Sequence, residues 1–269
     1  MATGMMVVCF GRATKLLPFM LAADKVYSAE IQLGTVTDTG DALGCVIEQR
    51  AVSVFSEQEL QVLCQTFSGP MSQIPPMHSA LKHKGQPLYR LARAGKIIAR
   101  PSREVMIFSN DFQEYDAESQ KLSITVHCSK GTYIRTLAED MGKRLGCGAH
   151  LSGLHRLWTS PFEHHPMVSW YDLISASNEK QHDKLAEWIM APEVMVGSMP
   201  VRYVSKEWLL RLRHGQSLDL SDWKDSSWVR LYNEDKQLYA IACHQENQAR
   251  LAVKWLQEPL DELHLSKKY

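Results

Sequence analysis

Residues 128–147, CSKGTYIRTLAEDMGKRLGC, join a strand to a helix. Apolar residues alternate along one face of the stretch that ends there, which indicates a half-buried strand: Leu122, Ile124, Val126 and Cys128. Past Gly131 they recur at helical spacing, at Ile134, Leu137, Ala138, Met141 and Leu145. Gly146 is placed to end this helix. Tyr133 and Arg135 therefore lie where a strand ends and a helix begins.

Tyr133 and Arg135 are candidates for a binding site because such a junction presents side chains to a cleft. Aromatic rings stack on flat bases, and guanidinium groups bind carboxylates or phosphates through paired hydrogen bonds. For this block alone, a buried tyrosine beside a solvated arginine is an equally open interpretation.

The composition is that of a globular protein with one large core and a second, smaller unit. The chain has 269 residues, of which 45% are hydrophobic and 22% charged, and no apolar run is long enough to cross a bilayer. Its six cysteines are scattered without a CxxC pair, and His164-His165 lacks a third ligand at useful spacing. We therefore expect a cytoplasmic protein without a bound metal.

Charge is unevenly distributed along the chain, although Lys and Arg equal Asp and Glu at 30 each. Residues 82–103 contain seven Lys or Arg and no acid, whereas residues 104–118 contain five acids and no base. Phosphate binding depends on local potential, so a basic stretch on a neutral protein suffices for nucleic acid. A solvated helix face is the alternative interpretation.

Together with residues 128–147, the pattern along the rest of the chain predicts an α+β fold. We expect a mixed, largely antiparallel sheet flanked by helices, with a small β-rich C-terminal domain. Strands are predicted at residues 6–10, 26–33, 104–109 and 121–128, with a hairpin formed by 228–232 and 238–243 and a last strand near 250–255. Helices are predicted at residues 14–23, 56–67, 87–94 and 170–189, the second of them from the Ser56/Glu59 capping box. The predicted domains are residues 1–196 and 197–269.

Five stretches resemble bacterial tRNA pseudouridine synthase B in the order and approximate spacing of that family. They are ATGMMVVCFGRATK (2–15), DKVY (24–27), LGTVTDTGDALG (33–44), IPPMHSALKHKGQPLYRLARAG (74–95) and CSKGTYIRTLAEDMGKRLGCGAHLSGLHR (128–156). The resemblance covers residues 2–160 and is looser beyond them. It implies a pseudouridine synthase-like domain followed by a small RNA-binding, PUA-like domain.

The resemblance implies isomerisation of a T-loop uridine of tRNA (position 55) to pseudouridine, without any cofactor. It implies that Tyr27, Tyr133 and Leu154 bind the everted uridine and that Arg135 orients a carboxylate. The implied partner is the T-arm of tRNA, and we expect the protein to be a monomer. We expect the tRNA contacts to come from four basic residues of the 82–103 stretch: Lys82, Lys84, Arg90 and Arg93. A base isomerised in place must leave its stack, and pocket contacts offset that cost.

The family's nucleophilic Asp belongs to a Gly-x-Leu-Asp-Pro loop, and this chain departs from the family there. The match begins at Met1, so the nucleophile is expected upstream of Met1, with a translation start that is placed too late. Asp24, Asp38 and Asp41 are interpreted as solvated or turn-forming carboxylates. As written, the chain is expected to be inactive. The alternative is a truncated or decayed synthase, which acts as a tRNA-binding or tRNA-folding protein without catalysis.

Overall fold

The structure is a computed structural model that describes residues 2–214, 216, 228–245 and 248–256. Contacts divide the chain into two compact units. The first comprises the residues up to Val7 together with Ala22–Met167, and the second comprises Val8–Leu21 together with the described residues from Val168 onward. The division of the chain into residues 1–196 and 197–269 stays a prediction.

The secondary structure alternates short strands with short helices. The described strands are β1 (Ala2–Gly4), β2 (Lys25–Leu33), β3 (Thr35–Thr37), β4 (Val46–Gln49), β5 (Gly69–Gln73), β6 (Lys82–His83), β7 (Gln86–Pro87), β8 (Arg103–Asp116), β9 (Lys121–Cys128), β10 (Ala149–Thr159), β11 (Val201–Tyr203), β12 (Trp228–Tyr232), β13 (Leu238–Gln245) and β14 (Gln248–Leu256). The α-helices are α1 (Leu17–Met20), α2 (Glu57–Thr66), α3 (Leu88–Arg93), α4 (Ile134–Leu145), α5 (Trp170–Asn178), α6 (His182–Glu187) and α7 (Lys206–Arg213). Gly11–Leu16 and Pro192–Val196 form 3₁₀ helices.

The first unit is built on a six-stranded sheet in the order β1-β10-β2-β9-β8-β5. β1 runs parallel to β10, and the other neighbouring strands are antiparallel. The second unit contains the sheet β11-β12-β13-β14, in which β11 and β12 are parallel. The predicted α+β fold with a mixed, largely antiparallel sheet and a small C-terminal sheet domain is confirmed.

The core of the first unit forms where helices cover one face of the sheet. The alternating residues of β9 and the apolar stripe of α4 are buried there, as the sequence predicts. Leu60, Leu63 and Cys64 of α2 are buried in the same cluster. The α2 capping box also forms, because Ser56 Oγ accepts from the Glu59 N–H and the Glu59 carboxylate accepts from the Ser56 N–H.

Two predicted elements are wrong. Residues 6–10 are not a strand, and the side chains of Met6 and Phe10 are 73% and 72% exposed. The helix expected over residues 170–189 is two helices, since the chain turns at Lys180 with φ at +55°. A left-handed residue ends an α-helix, and no glycine marked this one.

Gly142 allows α4 to lie directly on the start of β10. A Cβ atom built at Gly142 would stand 2.3 Å from Ala149 N and 2.4 Å from Ala149 Cβ. Neither atom belongs to a flexible side-chain end, so the helix itself would have to move. This contact matters because α4 carries Arg135 at its other end.

We predict that Gly142→Ala destabilises the protein, although alanine is normally favoured over glycine in a helix by about 1 kcal/mol. Overpacking of this kind costs about 1 to 3 kcal/mol. Urea unfolding of the variant measures the loss, with Arg144→Ala at a nearby exposed position of α4 as the control. Equal stability of the Gly142→Ala and wild-type proteins would contradict the close packing.

Candidate functional site

A pocket opens where β9 gives way to α4. Gly131 turns the chain with φ at +80°, and the Thr132 hydroxyl donates to Ser129 O at 2.9 Å. Tyr133 follows in an extended conformation at the N-cap of α4. The first residues of α4 and those just before it therefore face the pocket, as the strand-to-helix junction predicts.

The pocket has a volume of about 310 Å³ and lies entirely within the first unit. That size suits a small planar ligand. Its walls come from β1, β2, the 38–44 loop, the α4 junction and β10. The lining residues are Ala2, Tyr27, Asp41, Thr132, Tyr133, Ile134, Arg135, Leu151, Ser152, Gly153 and Leu154. The structure thus brings together the four residues that the sequence singled out for one site: Tyr27, Tyr133, Arg135 and Leu154.

Arg135 is held by acceptors from two separate segments. Its Nη1 donates to Asp41 Oδ2 at 3.0 Å and to Thr39 O at 3.2 Å, and its Nη2 donates to His78 O at 2.6 Å. The Arg135 and Asp41 side chains are each 20% exposed. Such a largely buried, charge-assisted pair is stronger than a surface ion pair. The guanidinium is therefore fixed at the pocket wall.

Asp41 is a pocket residue that the sequence did not identify as one. Besides Arg135, its Oδ1 accepts from the Thr39 hydroxyl at 2.8 Å and from the Leu43 N–H at 3.1 Å. Burial raises the pKa of Asp41, but these two hydrogen bonds and the Arg135 charge lower it to a value below the ordinary one. Asp41 does form a turn, as expected, and it is also an ionised pocket carboxylate. Nothing in the TDTGDALG pattern signals a partner 94 residues away.

Tyr27 lies in β2 opposite Val126 of β9 and Arg156 of β10. Its phenol is partly buried, and burial is the largest cause that raises its pKa. The nearby Cys128 raises this pKa further, whereas Arg156 lowers it. Tyr27 therefore stays a neutral phenol at physiological pH.

Leu154 belongs to β10, where it pairs with Ala29 of β2 and with Ala2 of β1. Because directly opposed residues share a face of the sheet, Leu154 lies on the same face as its partner Ala29, which is in the core. Leu154 packs partly against this core and partly lines the pocket. It supplies an apolar wall.

The four predicted RNA-binding residues lie outside the pocket. Lys82 and Lys84 belong to the β6–β7 hairpin, and Arg90 and Arg93 belong to α3. All four side chains are exposed, and the described residues place no carboxylate within ion-pair distance of them. Arg93 also lies over the ring of Tyr89, 5.7 Å from its centroid.

Two features are absent from the described residues. No helix in that part of the chain is both long and apolar enough to cross a membrane. Nor do three or more His, Cys, Asp or Glu residues gather there in a way that would hold a metal ion.

Comparison with known proteins points to one family. Residues 1–134 match the N-terminal domain of the TruB family pseudouridylate synthases, and residues 135–196 match the tRNA pseudouridylate synthase B C-terminal domain. The tRNA pseudouridine synthase B of Chromohalobacter salexigens is 43% identical over 239 residues, 87% of this chain and 75% of that protein. The enzyme of the same name from Mannheimia succiniciproducens is 40% identical over 243 residues, 90% of this chain and 79% of that protein.

Solved structures share the fold. A crystal structure of a Cbf5–Nop10–Gar1 complex contains a chain that matches 95% of this one with a TM-score of 0.67 and 22% identity, over 72% of its own length. A chain of an archaeal box H/ACA sRNP Nop10–Cbf5 complex matches 97% of this one with a TM-score of 0.65 and 20% identity, over 75% of its length. The sequence relatives, together with the pocket, lead to one conclusion: this chain belongs to the TruB family of tRNA pseudouridine synthases, isomerases that convert a uridine of tRNA to pseudouridine.

Proposed function

We propose that the substrate is the T-loop uridine of tRNA and that the pocket around Arg135 receives this base after it leaves its stack. The observation that carries the proposal is the convergence of Tyr27, Tyr133, Arg135 and Leu154 on one cavity. Unstacking costs a few kcal/mol, and ring stacking and apolar contacts inside the pocket offset it. The two tyrosines bind the flat faces and edges of the base, and Leu154 excludes water from the sugar side.

The isomerisation breaks the bond between N1 of uracil and C1′ of ribose and forms one between C5 and C1′. The C5 proton is then lost and N1 gains one, so uridine and pseudouridine have the same composition. A carboxylate that attacks the reacting sugar or base makes the detached state accessible. Arg135 orients this carboxylate and keeps it ionised. The confined pocket prevents the free base from diffusing away.

The position of Ala2 in the pocket wall bears on the source of that carboxylate. In the family pattern the nucleophilic Asp stands three residues before the residue that matches Ala2. Three residues of extended chain span about 10 Å at most. An aspartate joined to the chain there would therefore lie within about 10 Å of the pocket wall. Asp41 is the other candidate, but its carboxylate is already bound to Arg135 and Thr39.

The tRNA arm lies, in this proposal, along the hairpin and helix that carry Lys82, Lys84, Arg90 and Arg93. Exposed cations without carboxylate partners suit phosphate contacts, which supply most of the affinity of such proteins. We further propose that residues 197–269 form a small PUA-like unit that contacts the RNA, and that the protein acts as a cytoplasmic monomer.

Release of tritium from T-arm RNA labelled at C5 of the target uridine tests the proposed function. The assay compares the 269-residue chain with a chain that carries an added Gly-x-Leu-Asp-Pro peptide before Met1. Turnover by the extended chain alone supports the upstream aspartate, and turnover by both assigns the carboxylate to this sequence. RNA binding without turnover in either chain favours the tRNA-binding or tRNA-folding alternative. Release from a uridine outside the T-loop would contradict the substrate assignment.

We predict that Tyr27→Ala reduces turnover about 10- to 100-fold while tRNA affinity stays nearly constant, since one base–aromatic stack is worth about 1 to 3 kcal/mol. Single-turnover rates and equilibrium binding are measured in whichever chain is active. Tyr27→Phe retains the ring and should retain most of the rate. Tyr171→Ala, at an 80% exposed position, is the control. Equal losses in rate and affinity would count against a pocket role.

We predict that Asp41→Asn lowers the free energy of unfolding at neutral pH by about 1 to 3 kcal/mol, because it leaves a largely buried guanidinium poorly paired. The pKa of Asp41 is lowered in the folded state, so its contribution is present above the unfolded pKa and is lost as pH falls through the folded pKa. The two proteins should therefore converge in stability at acidic pH. Urea unfolding from neutral to acidic pH measures the difference, and a constant gap would show that the pair is not responsible.

We predict that replacing Arg90 and Arg93 with Glu weakens tRNA binding and lowers the slope of log affinity against log salt by roughly two, as loss of two phosphate contacts requires. The matched control replaces Lys121 and Lys143 with Glu. These substitutions change the net charge by the same amount, but the two lysines are paired with Glu30 and Asp140. A slope that is unchanged, or that changes equally in the control, would move the RNA surface elsewhere.

A further inference from the structure

Gln73 is a buried polar residue at the end of an edge strand. It is the last residue of β5, and its side chain is 2% exposed. Buried amides are retained in proteins where they bond to another polar group, since an unpaired amide is costly. The partner of Gln73 lies in the pocket wall.

The Gln73 side chain binds the backbone of Tyr133. The Tyr133 N–H donates to Gln73 Oε1 at 3.0 Å, and Gln73 Nε2 faces Tyr133 O at 3.5 Å. Tyr133 precedes α4, so its N–H has no partner within the helix. Gln73 supplies that partner from 60 positions away, and thereby fixes the backbone of a residue that lines the pocket.

The segment that follows Gln73 is also bonded to the start of α4 and to the basic helix. His78 O accepts from Arg135, and Ser79 O accepts from the Tyr89 N–H of α3 at 3.1 Å. The backbone between Gln73 and His78 is restricted by Pro75 and Pro76. One short, stiff segment therefore connects α3, which carries Arg90 and Arg93, with both ends of the Tyr133–Arg135 wall.

We propose that Gln73 is a positioning residue: it holds Tyr133 at the angle needed to capture an everted base, and base capture depends on it whereas tRNA binding does not. This inference rests on the proposed function of the pocket. Gln73 does not line the pocket and acts through Tyr133.

Two variants separate the polar contact from simple packing. Gln73→Met keeps the length of the side chain but removes both polar atoms. Gln73→Glu keeps an oxygen opposite the Tyr133 N–H, and burial favours its protonated form, which can also donate to Tyr133 O, so this variant should rescue. Gln65→Met, at an exposed site on α2, is the matched control. If Gln73→Met fails to fold, Gln73→Asn replaces it, since it retains the amide but withdraws it by one methylene.

The first measurement uses the free protein. Hydrogen exchange of the peptide spanning residues 129–137 should accelerate about tenfold in Gln73→Met, the factor that loss of one ordinary hydrogen bond supports. Gln73→Glu and Gln65→Met should exchange like the wild type. Unchanged exchange in Gln73→Met would overturn the proposal, whether or not the protein binds RNA.

The second measurement uses a T-arm stem–loop with 2-aminopurine beside the target uridine, whose fluorescence rises when its neighbour leaves the stack. Gln73→Met should lower the everted fraction about tenfold at unchanged tRNA affinity. Affinity that falls in step with eversion would reduce Gln73 to a structural residue. Wild-type binding without eversion would instead contradict the proposed function, while the exchange result still decides the role of Gln73.

Discussion

The pocket depends on one guanidinium that lies where electrostatics alone would not favour it. Arg135 is in the first turn of α4, and the positive end of a helix dipole repels a cation. The carboxylate of Asp41 compensates, and the carbonyls of Thr39 and His78 take two further N–H groups. Because these acceptors come from two loops, the same group that would orient a reacting carboxylate in the proposed function also fixes the loops around the pocket.

Two carboxylates flank Arg135, and their surroundings shift them in opposite directions. Glu139 lies one helical turn further along α4 against Gly40, and burial raises its pKa more than the nearby Lys143 lowers it. Asp41 follows Gly40 in the loop, and hydrogen bonds and the charge of Arg135 lower the pKa of its carboxyl. Both Nη groups of Arg135 donate to the two loops, where Asp41 is the carboxylate that the guanidinium binds.

Local patterns in the sequence were sufficient wherever an element is determined by its own residues. The alternation of β9, the stripe of α4 and the Ser56 capping box all appear as expected, because each depends on neighbours within one turn or one strand. The apolar run at residues 6–10 failed as a strand, since hydrophobicity does not supply a pairing partner. The sequence could not predict two contacts of the site, Asp41–Arg135 and Gln73–Tyr133, because each joins residues 60 or more positions apart.

The neutral net charge becomes compatible with RNA binding once the positions of the charges are known. The cations of α3 and the β6–β7 hairpin are exposed, whereas the pocket carboxylate of Asp41 is paired with Arg135. In the proposed function, the phosphate backbone is therefore attracted by residues of an exposed surface, and the base is captured by other residues in a confined cavity. A stiff segment of hydrogen-bonded backbone joins the two. Nonspecific affinity for phosphate therefore need not compete with recognition of the base, because base contacts specify while phosphate contacts only position.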